Sequence, residues 1–187
     1  MTDTMKKSVL LLVSILSFTV FSCKKESTAS EGKENAQQEE FDESFNVVLD
    51  VIIKKDDDIA LFYTTDGSVD FSKIPPIWQG VKGSESVQQI VYKLPVDVKP
   101  TQFRFDLGRN PEQGDIFLKK VTFKYIGKSR EIGCPELVDF FRANDTYCTF
   151  DHITGLVKAK ESTNGERNFP SIYPHEAKLK SEIDKLY

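Results

Sequence analysis

Phe45-Asn46-Val47-Val48-Leu49-Asp50-Val51-Ile52-Ile53 is the stretch that decides the fold. Val47, Leu49, Val51 and Ile53 recur at every second position, which places them on one face of an extended chain. This alternation is typical of a β-strand with one face buried in a core. The stretch therefore predicts a sheet protein, and the neighbouring segments must supply the partner strands.

The same alternation continues downstream and is interrupted by turn-forming residues. Residues 59–63 predict a second strand, which we expect to pair antiparallel with the first. Further strands are expected over residues 86–94, 103–107 and 116–126, the last with a bulge at Lys119-Lys120. Two short strands are expected over residues 147–150 and 156–160. So many closely spaced strands predict a mainly β protein, an antiparallel β-sandwich.

Two helices are expected after the main run of strands. Residues 134–142 predict a short helix, in which Pro135 stands in the first turn and three apolar side chains share a face. Residues 173–187 predict a C-terminal amphipathic helix that Pro174 opens. A helix of this length needs packing partners to be stable.

The segment before the first strand has the pattern of an export signal and a tether. Lys6 and Lys7 precede an apolar run that is too short to span a membrane, so we assign residues 1–22 as a signal peptide. Val20-Phe21-Ser22-Cys23 resembles a lipobox, with Phe21 in place of the usual small residue, and Cys23 is the expected lipidation site. Several acyl chains on one cysteine anchor a protein stably. An ordinary thiol is the alternative for Cys23.

The charge distribution supports a tether and argues against nucleic acid as a partner. The chain carries a net charge of −4, and residues 24–44 alone hold three lysines and seven acidic residues. We interpret residues 23–44 as a lipidated cysteine with a disordered acidic tether. Residues 45–172 form the expected sandwich domain, and the nearly neutral folded part gives no electrostatic reason to bind nucleic acid.

Cys134 and Cys148 are the two remaining cysteines, and the sequence leaves two alternatives for them. A disulfide is compatible with an extracytoplasmic location and would close a loop of about 15 residues, which stabilises by about 3 kcal/mol in the chain-entropy model. Two separate buried thiols are the other alternative. The pattern does not match a zinc site, and Asp56-Asp57-Asp58 lacks the spacing of a calcium loop. We expect the aspartates to form a solvated turn, and we expect no metal or cofactor.

Several short motifs resemble a known extracytoplasmic module. They are Leu61-Phe62-Tyr63-Thr64-Thr65-Asp66-Gly67, Phe103-Arg104-Phe105-Asp106-Leu107-Gly108-Arg109-Asn110-Pro111 and Gly114-Asp115-Ile116. In this order they resemble the β-sandwich segment found beside multi-spanning envelope glycosyltransferases. The resemblance covers most of residues 45–172, although Leu107 stands where that pattern often has proline. It implies a jelly-roll or galactose-binding-like sandwich similar to carbohydrate-binding modules, without the membrane-embedded catalytic part.

Four residues are candidates for contacting a glycan. Arg104 and Asp106 share a strand face and could grip sugar hydroxyls, or could form an ion pair that only holds the structure together. Arg109 lies in the turn that follows. Trp78 follows two prolines and could stack on a sugar ring from a loop, or could pack in the core.

The sequence offers little for catalysis. It contains no nucleophile elbow, no zinc-protease motif and no phosphate-binding loop. Cys148 with Asp151 and His152 is the strongest arrangement for a hydrolase, and we expect no enzyme activity. The leading hypothesis is a membrane-tethered glycan-binding or glycan-handling accessory module in the bacterial cell envelope, periplasmic or at the surface. The alternative is a structural or interaction subunit of an envelope complex.

Overall fold

A computed structural model describes residues 42–187, which form two antiparallel sheets. Sheet one contains β1 (Asn46–Ile53), β4 (Ser84–Lys93), β6 (Ile116–Tyr125), β7 (Lys128–Gly133), β9 (Cys148–Asp151) and β10 (Leu156–Ala159). Sheet two contains β2 (Asp57–Thr64), β3 (Ile77–Val81), β5 (Gln102–Leu107), β8 (Phe141–Ala143) and β11 (Ser171–Pro174). The strand orders are β4-β1-β6-β10-β9, with β7 also beside β6, and β3-β2-β5-β11-β8. The predicted mainly β, antiparallel sandwich is confirmed.

The core lies between the inward faces of the two sheets. Every second residue of β1 from Val47 to Ile53 is fully buried, as are Phe103, Phe105 and Leu107 of β5. All of these side chains belong to one hydrophobic cluster. Burying each of them stabilises the fold by about 1.5–3 kcal/mol. This burial orients the alternate residues of β5, Arg104 and Asp106, toward the outside of sheet two.

The pairing expected between the first two strands is wrong. β1 pairs with β4 and β6, whereas β2 pairs with β3 and β5 in the other sheet. Residues 54–56 carry the chain from one sheet to the other instead of closing a hairpin. Alternation identifies the buried face of each strand, but two strands with buried faces can pair side by side or face each other across a core.

The bulge in β6 is confirmed, and β7 was not predicted. Asp50 lies opposite Lys120 while Val51 lies opposite Leu118, so the register passes over Lys119. β7 returns along β6 through a turn with positive φ at Ile126 and Gly127. Only one residue of β7 is buried, and its sequence Lys-Ser-Arg-Glu-Ile-Gly therefore lacks an apolar alternation.

Both predicted helices are present, and both pack on the sandwich. The first, α1 (Leu137–Phe140), is a single turn, because Phe141 already belongs to β8. The C-terminal helix, α2 (Glu176–Asp184), begins later than predicted, because Tyr173 and Pro174 belong to β11, and it buries Leu179 and Ile183 in the core cluster. The C-terminal segment is thus part of the folded core.

Within residues 42–187, no helix is long and apolar enough to cross a membrane. Cys23, the signal peptide and nearly all of the predicted tether lie outside the described residues.

Candidate functional site

The outer face of sheet two carries a polar and aromatic surface. Arg104 of β5 lies opposite Phe62 of β2, and Asp106 lies opposite Ser171 of β11. Tyr173 of β11 also lies on this face, beside the Arg104 guanidinium. These residues alternate with core residues on their strands, so the buried face of the sheet determines the orientation of the exposed one.

Arg104 and Asp106 form a bidentate ion pair. Arg104 Nε donates to Asp106 Oδ1 at 2.8 Å, and Arg104 Nη2 donates to Asp106 Oδ2 at 2.7 Å. The guanidinium carbon lies 4.4 Å from the Phe62 ring centroid and 4.9 Å from that of Tyr173. Phe71 packs edge-on against both of these rings. The pair is therefore held in one geometry by two hydrogen bonds and two aromatic rings.

The pair is partly accessible to solvent. The side chains of Arg104 and Asp106 are 24% and 19% exposed. Burial raises the pKa of Asp106, and the contact with Arg104 works against that rise. In this environment hydrogen bonds are stronger than in water, and any unpaired charge costs more.

The ion pair lies in a cleft of about 640 Å³. Its floor comes from the strands, and its wall comes from residues 161–170, which we call the cleft loop, together with Tyr147. The lining consists of polar, charged and aromatic residues: Arg104, Asp106, Tyr147, Ser162, Thr163, Asn164, Glu166, Arg167, Asn168, Phe169 and Ser171. Phe169 is 51% exposed and Tyr147 is 43% exposed. The cleft thus combines a preformed ion pair with two accessible rings, as ligand sites with a few oriented polar groups do.

Backbone hydrogen bonds shape the cleft loop. Ser162 N donates to Glu166 O at 2.8 Å, and Asn168 N donates to Lys160 O at 3.0 Å. Gly165 has a φ of +79°, which a tight turn at the tip requires. The sequence analysis did not predict that this loop lines one cleft with Arg104 and Asp106.

The other two predicted site residues form a separate pair near the edge of sheet two. Trp78 lies on the edge strand β3 and is 44% exposed, so it is neither on a loop nor in the core. The Arg109 guanidinium lies 4.9 Å from the centroid of the Trp78 ring. Trp78 and Asp106 both lie opposite Ala60 of β2, so the two pairs share the outer face of sheet two. Arg109 lines a second depression of about 770 Å³, separate from the cleft.

Asp57, which we expected in a solvated turn, is buried and organises the loop after β5. Its Oδ1 accepts hydrogen bonds from the backbone N–H groups of Asp58, Arg109 and Asn110, at 2.8, 2.6 and 2.9 Å. Its Oδ2 accepts a hydrogen bond from Gln113 Nε2 at 3.0 Å. The expectation of a solvated triplet is wrong for this residue, because the loop needs a buried acceptor for its N–H groups.

Arg167 lines the cleft and was not selected in the sequence analysis. Its Nη2 atom is buried and has no hydrogen-bond acceptor among residues 42–187. Burial lowers the pKa of Arg167, and the negative charges of Asp57 and Asp115 act in the opposite direction. An isolated arginine in a polar segment carries no periodic signal, so only its tertiary surroundings identify it.

Cys134 and Cys148 are free thiols in this structure, the first half-buried and the second buried. Cys134 Sγ lies 3.6 Å from Leu118 O, and Cys148 Sγ lies 3.4 Å from Ser171 O. Burial raises the pKa of both thiols. A raised pKa keeps a thiol protonated and a poor nucleophile.

In the hydrolase arrangement considered for Cys148, Asp151 and His152, the Cys148 thiol is not accessible as a nucleophile. Cys148 has no exposed surface, and its thiol is engaged with a backbone carbonyl. The Asp151 carboxylate is bonded locally, to Ile153 N at 2.9 Å and to Thr154 Oγ1 at 2.9 Å. Over residues 42–187 there is also no cluster of three or more His, Cys, Asp or Glu side chains that could hold a metal ion.

Comparisons of the chain with protein-family models, with curated proteins and with solved structures find no match.

Proposed function

We propose that this chain is a lipid-anchored, extracytoplasmic glycan-binding accessory module, and that the cleft at Arg104 and Asp106 is its binding site. The observation that carries the proposal is the combination found in that cleft. A bidentate ion pair on a rigid sheet lies within one lining with two exposed aromatic rings, Tyr147 and Phe169. The likeness of residues 45–172 to envelope sandwich modules supports the same function.

The hydrogen-bonding capacity of the ion pair suits a sugar. Arg104 has five N–H donors, and Asp106 occupies two of them, which leaves three. Each carboxylate oxygen of Asp106 keeps a further lone pair. A sugar hydroxyl both donates and accepts, so two neighbouring hydroxyls can bind the donor and the acceptor of the pair together.

The aromatic rings suit the apolar part of a sugar. Phe169 and Tyr147 present exposed rings beside polar groups, and a pyranose has C–H faces that pack on such rings while its hydroxyls reach polar neighbours. Trp78 is a further exposed ring, on the outer face of sheet two, and Arg109 lies over it. We assign Trp78 and Arg109 to a peripheral contact and not to the main site.

The proposed location in the cell envelope rests on the predicted signal peptide and lipidation site. Lys6, Lys7, the apolar run and Cys23 support export and lipidation, and the acidic tether would separate the sandwich from the membrane. The anchor would keep the module beside membrane-bound enzymes that make or move envelope glycans. We propose no catalytic role for the chain itself.

The alternative is a non-catalytic structural or interaction subunit of an envelope complex. The apolar stripe of an amphipathic C-terminal helix could dock on a partner, but Leu179 and Ile183 of α2 are buried in the core of this chain. An envelope protein as the partner is therefore the weaker proposal.

The test is binding of envelope polysaccharide fragments to the full chain, measured by calorimetry in a detergent without a sugar headgroup. We expect saturable binding that Arg104→Ala reduces at least about tenfold, the effect of losing about 1.4 kcal/mol. Arg142→Ala is the matched control, because Arg142 lies over the same Tyr173 ring but does not line the cleft. If no fragment binds at millimolar concentration, or if both variants bind like the wild type, the proposal fails.

A further inference from the structure

The charges that line the cleft are balanced. Among the described residues, the lining contains two guanidinium groups, Arg104 and Arg167, and two carboxylates, Asp106 and Glu166. It contains no lysine and no histidine. A site built for an acidic ligand normally carries an excess of cations, so the lining already argues against such a ligand.

The guanidinium of Arg104 is already paired with a carboxylate, and that of Arg167 is partly buried. Arg104 already faces a carboxylate in bidentate geometry, so an anion would have to displace Asp106 or sit beside it. Arg167 keeps Nη2 below the protein surface, and the negative charges of Asp57 and Asp115 act on its guanidinium. The charge of Arg104 is thus compensated within the protein, whereas Arg167 forms no ion pair with residues 42–187 and keeps a guanidinium nitrogen buried.

The two carboxylates would oppose an acidic ligand. Asp106 is four-fifths buried, and Glu166 is exposed on the cleft loop. A carboxylate, sulfate or phosphate on the ligand can only accept hydrogen bonds, so it would meet the acceptor Asp106 without a proton to share. Like charges in a partly desolvated site are costly, whereas hydroxyls can donate to both carboxylates.

From this balance we propose that the cleft is selective for neutral glycans and discriminates against uronic-acid, sulfated and phosphorylated ones. This inference rests on the proposed function and names the class of ligand for the same site. Phe169 and Tyr147 pack against the C–H faces of the sugar, and the Arg104–Asp106 pair forms hydrogen bonds with two neighbouring hydroxyls. Glu166 at the tip of the cleft loop adds a second acceptor for hydroxyl groups and a second repulsion for anions.

The experiment compares oligosaccharides that differ only at C6. β-1,4-mannotetraose is paired with β-1,4-tetramannuronate, and a β-1,4-galactan tetramer is paired with a galacturonan tetramer in the same linkage. Titrations use the full chain in a detergent without a sugar headgroup, at 50 and 500 mM NaCl. We expect the neutral member of a binding pair to bind at least about tenfold more tightly, with an affinity that salt leaves within about twofold.

The outcomes separate the inference from the function on which it rests. An acidic member that binds as well as its neutral partner, or better, overturns the neutral selectivity and leaves the glycan-binding function standing. If neither member of any pair binds, the function itself fails, and the inference fails with it.

Two variants test the named charges. Glu166→Gln removes an exposed charge from the cleft loop, and Glu161→Gln is its control, because Glu161 is an exposed residue of the same loop that does not line the cleft. We expect Glu166→Gln, but not Glu161→Gln, to lower the ratio of neutral-ligand affinity to acidic-ligand affinity by about threefold or more. Asp106→Asn should lower this affinity ratio further, because it leaves the charge of Arg104 uncompensated. Circular dichroism checks that the variant folds. An unchanged difference in both cleft variants would contradict the inference.

Discussion

Individual side chains on the outer face of sheet two are held by specific local contacts. The rings of Phe62 and Tyr173 pack against the Arg104 guanidinium, and Asp106 accepts two hydrogen bonds from it. Asp57 holds the loop that carries Arg109. Rigid side chains of this kind lose little conformational entropy when a ligand binds, which favours recognition by preformed geometry.

Asp57 is a buried polar residue whose loss should destabilise the protein. Asp57→Ala leaves three backbone N–H groups without their acceptor and removes one of the two acceptors of Gln113 Nε2, so we expect the free energy of unfolding to fall by about 3 kcal/mol. Urea denaturation measures this change. Asp58→Asn, at the exposed neighbouring aspartate, should change it by less than about 0.5 kcal/mol. Equal stability of Asp57→Ala and the wild type would show that water replaces these bonds.

Strands in which apolar residues alternate can be predicted from the sequence, whereas strands and loops without such a period cannot. β1 and β5 were predictable because apolar residues alternate in them, and the same alternation predicted that Arg104 and Asp106 share the opposite face. β3, β7, β8 and β11 were missed, since β7 buries a single residue and the other three strands have only three to five residues each. The partner of β2 was missed as well, because alternation does not distinguish a neighbour in the same sheet from a strand across the core.

The candidate site was half predictable for the same reason. Arg104 and Asp106 could be selected from their place in an alternating strand. Their place in one cleft with Phe169 and Arg167 could not be predicted, because residues 161–170 are mostly polar and have no periodicity that would place them beside β5. Trp78 was assigned to a loop or to the core, whereas an edge strand beside two prolines gives it half-exposure.

Two glycines with the same backbone conformation test the packing of the β9–β10 turn. Gly155 and Gly165 have φ values of +78° and +79°, but a Cβ at Gly155 would lie 2.3 Å from Leu118 O, whereas at Gly165 nothing lies within 4 Å. We expect Gly165→Ala to cost about 1 kcal/mol and Gly155→Ala to cost about 3 kcal/mol or more. Urea denaturation of the two variants gives the difference. Similar costs would mean that the turn at Gly155 relaxes freely.

Over the whole molecule, hydrogen-bonded carboxylates should make stability depend on pH. A backbone hydrogen bond from Ser44 is the largest cause that lowers the pKa of Asp42 to about 2, and Lys73 and Lys185 lower the pKa values of Asp66 and Glu182. Groups with a lowered pKa bind protons more weakly in the folded chain than in the unfolded one. The stability they contribute is therefore present above about pH 4 and is lost as the pH falls toward 2.

We expect the melting temperature to fall steadily as the pH is lowered from about 5 to about 2.5, which differential scanning calorimetry records. The raised pKa of Asp106 favours the folded state as the pH falls, but the carboxylates with lowered pKa values are more numerous. A melting temperature that is constant or rises over this range would contradict the pKa shifts.

The proposed anchor is also a property of the whole molecule, and Cys23 carries it. Metabolic labelling with palmitate in a bacterial host should mark the wild type, and Cys23→Ser should lose the label and move to the soluble fraction. Cys134→Ser is the matched control and should keep the label. A labelled Cys23→Ser variant, or an unlabelled wild type, would contradict the lipoprotein assignment.

The central claim is that the cleft between β5 and the cleft loop binds glycans, and an NMR titration of the ¹⁵N-labelled full chain tests it most directly. A neutral oligosaccharide should shift the amide signals of Arg104, Asp106, Phe169 and Ser171 saturably. The signals of Val48 and Val91 on the opposite sheet should stay unchanged. Saturable shifts confined to sheet one, or no saturable shift at millimolar ligand, would contradict the claim.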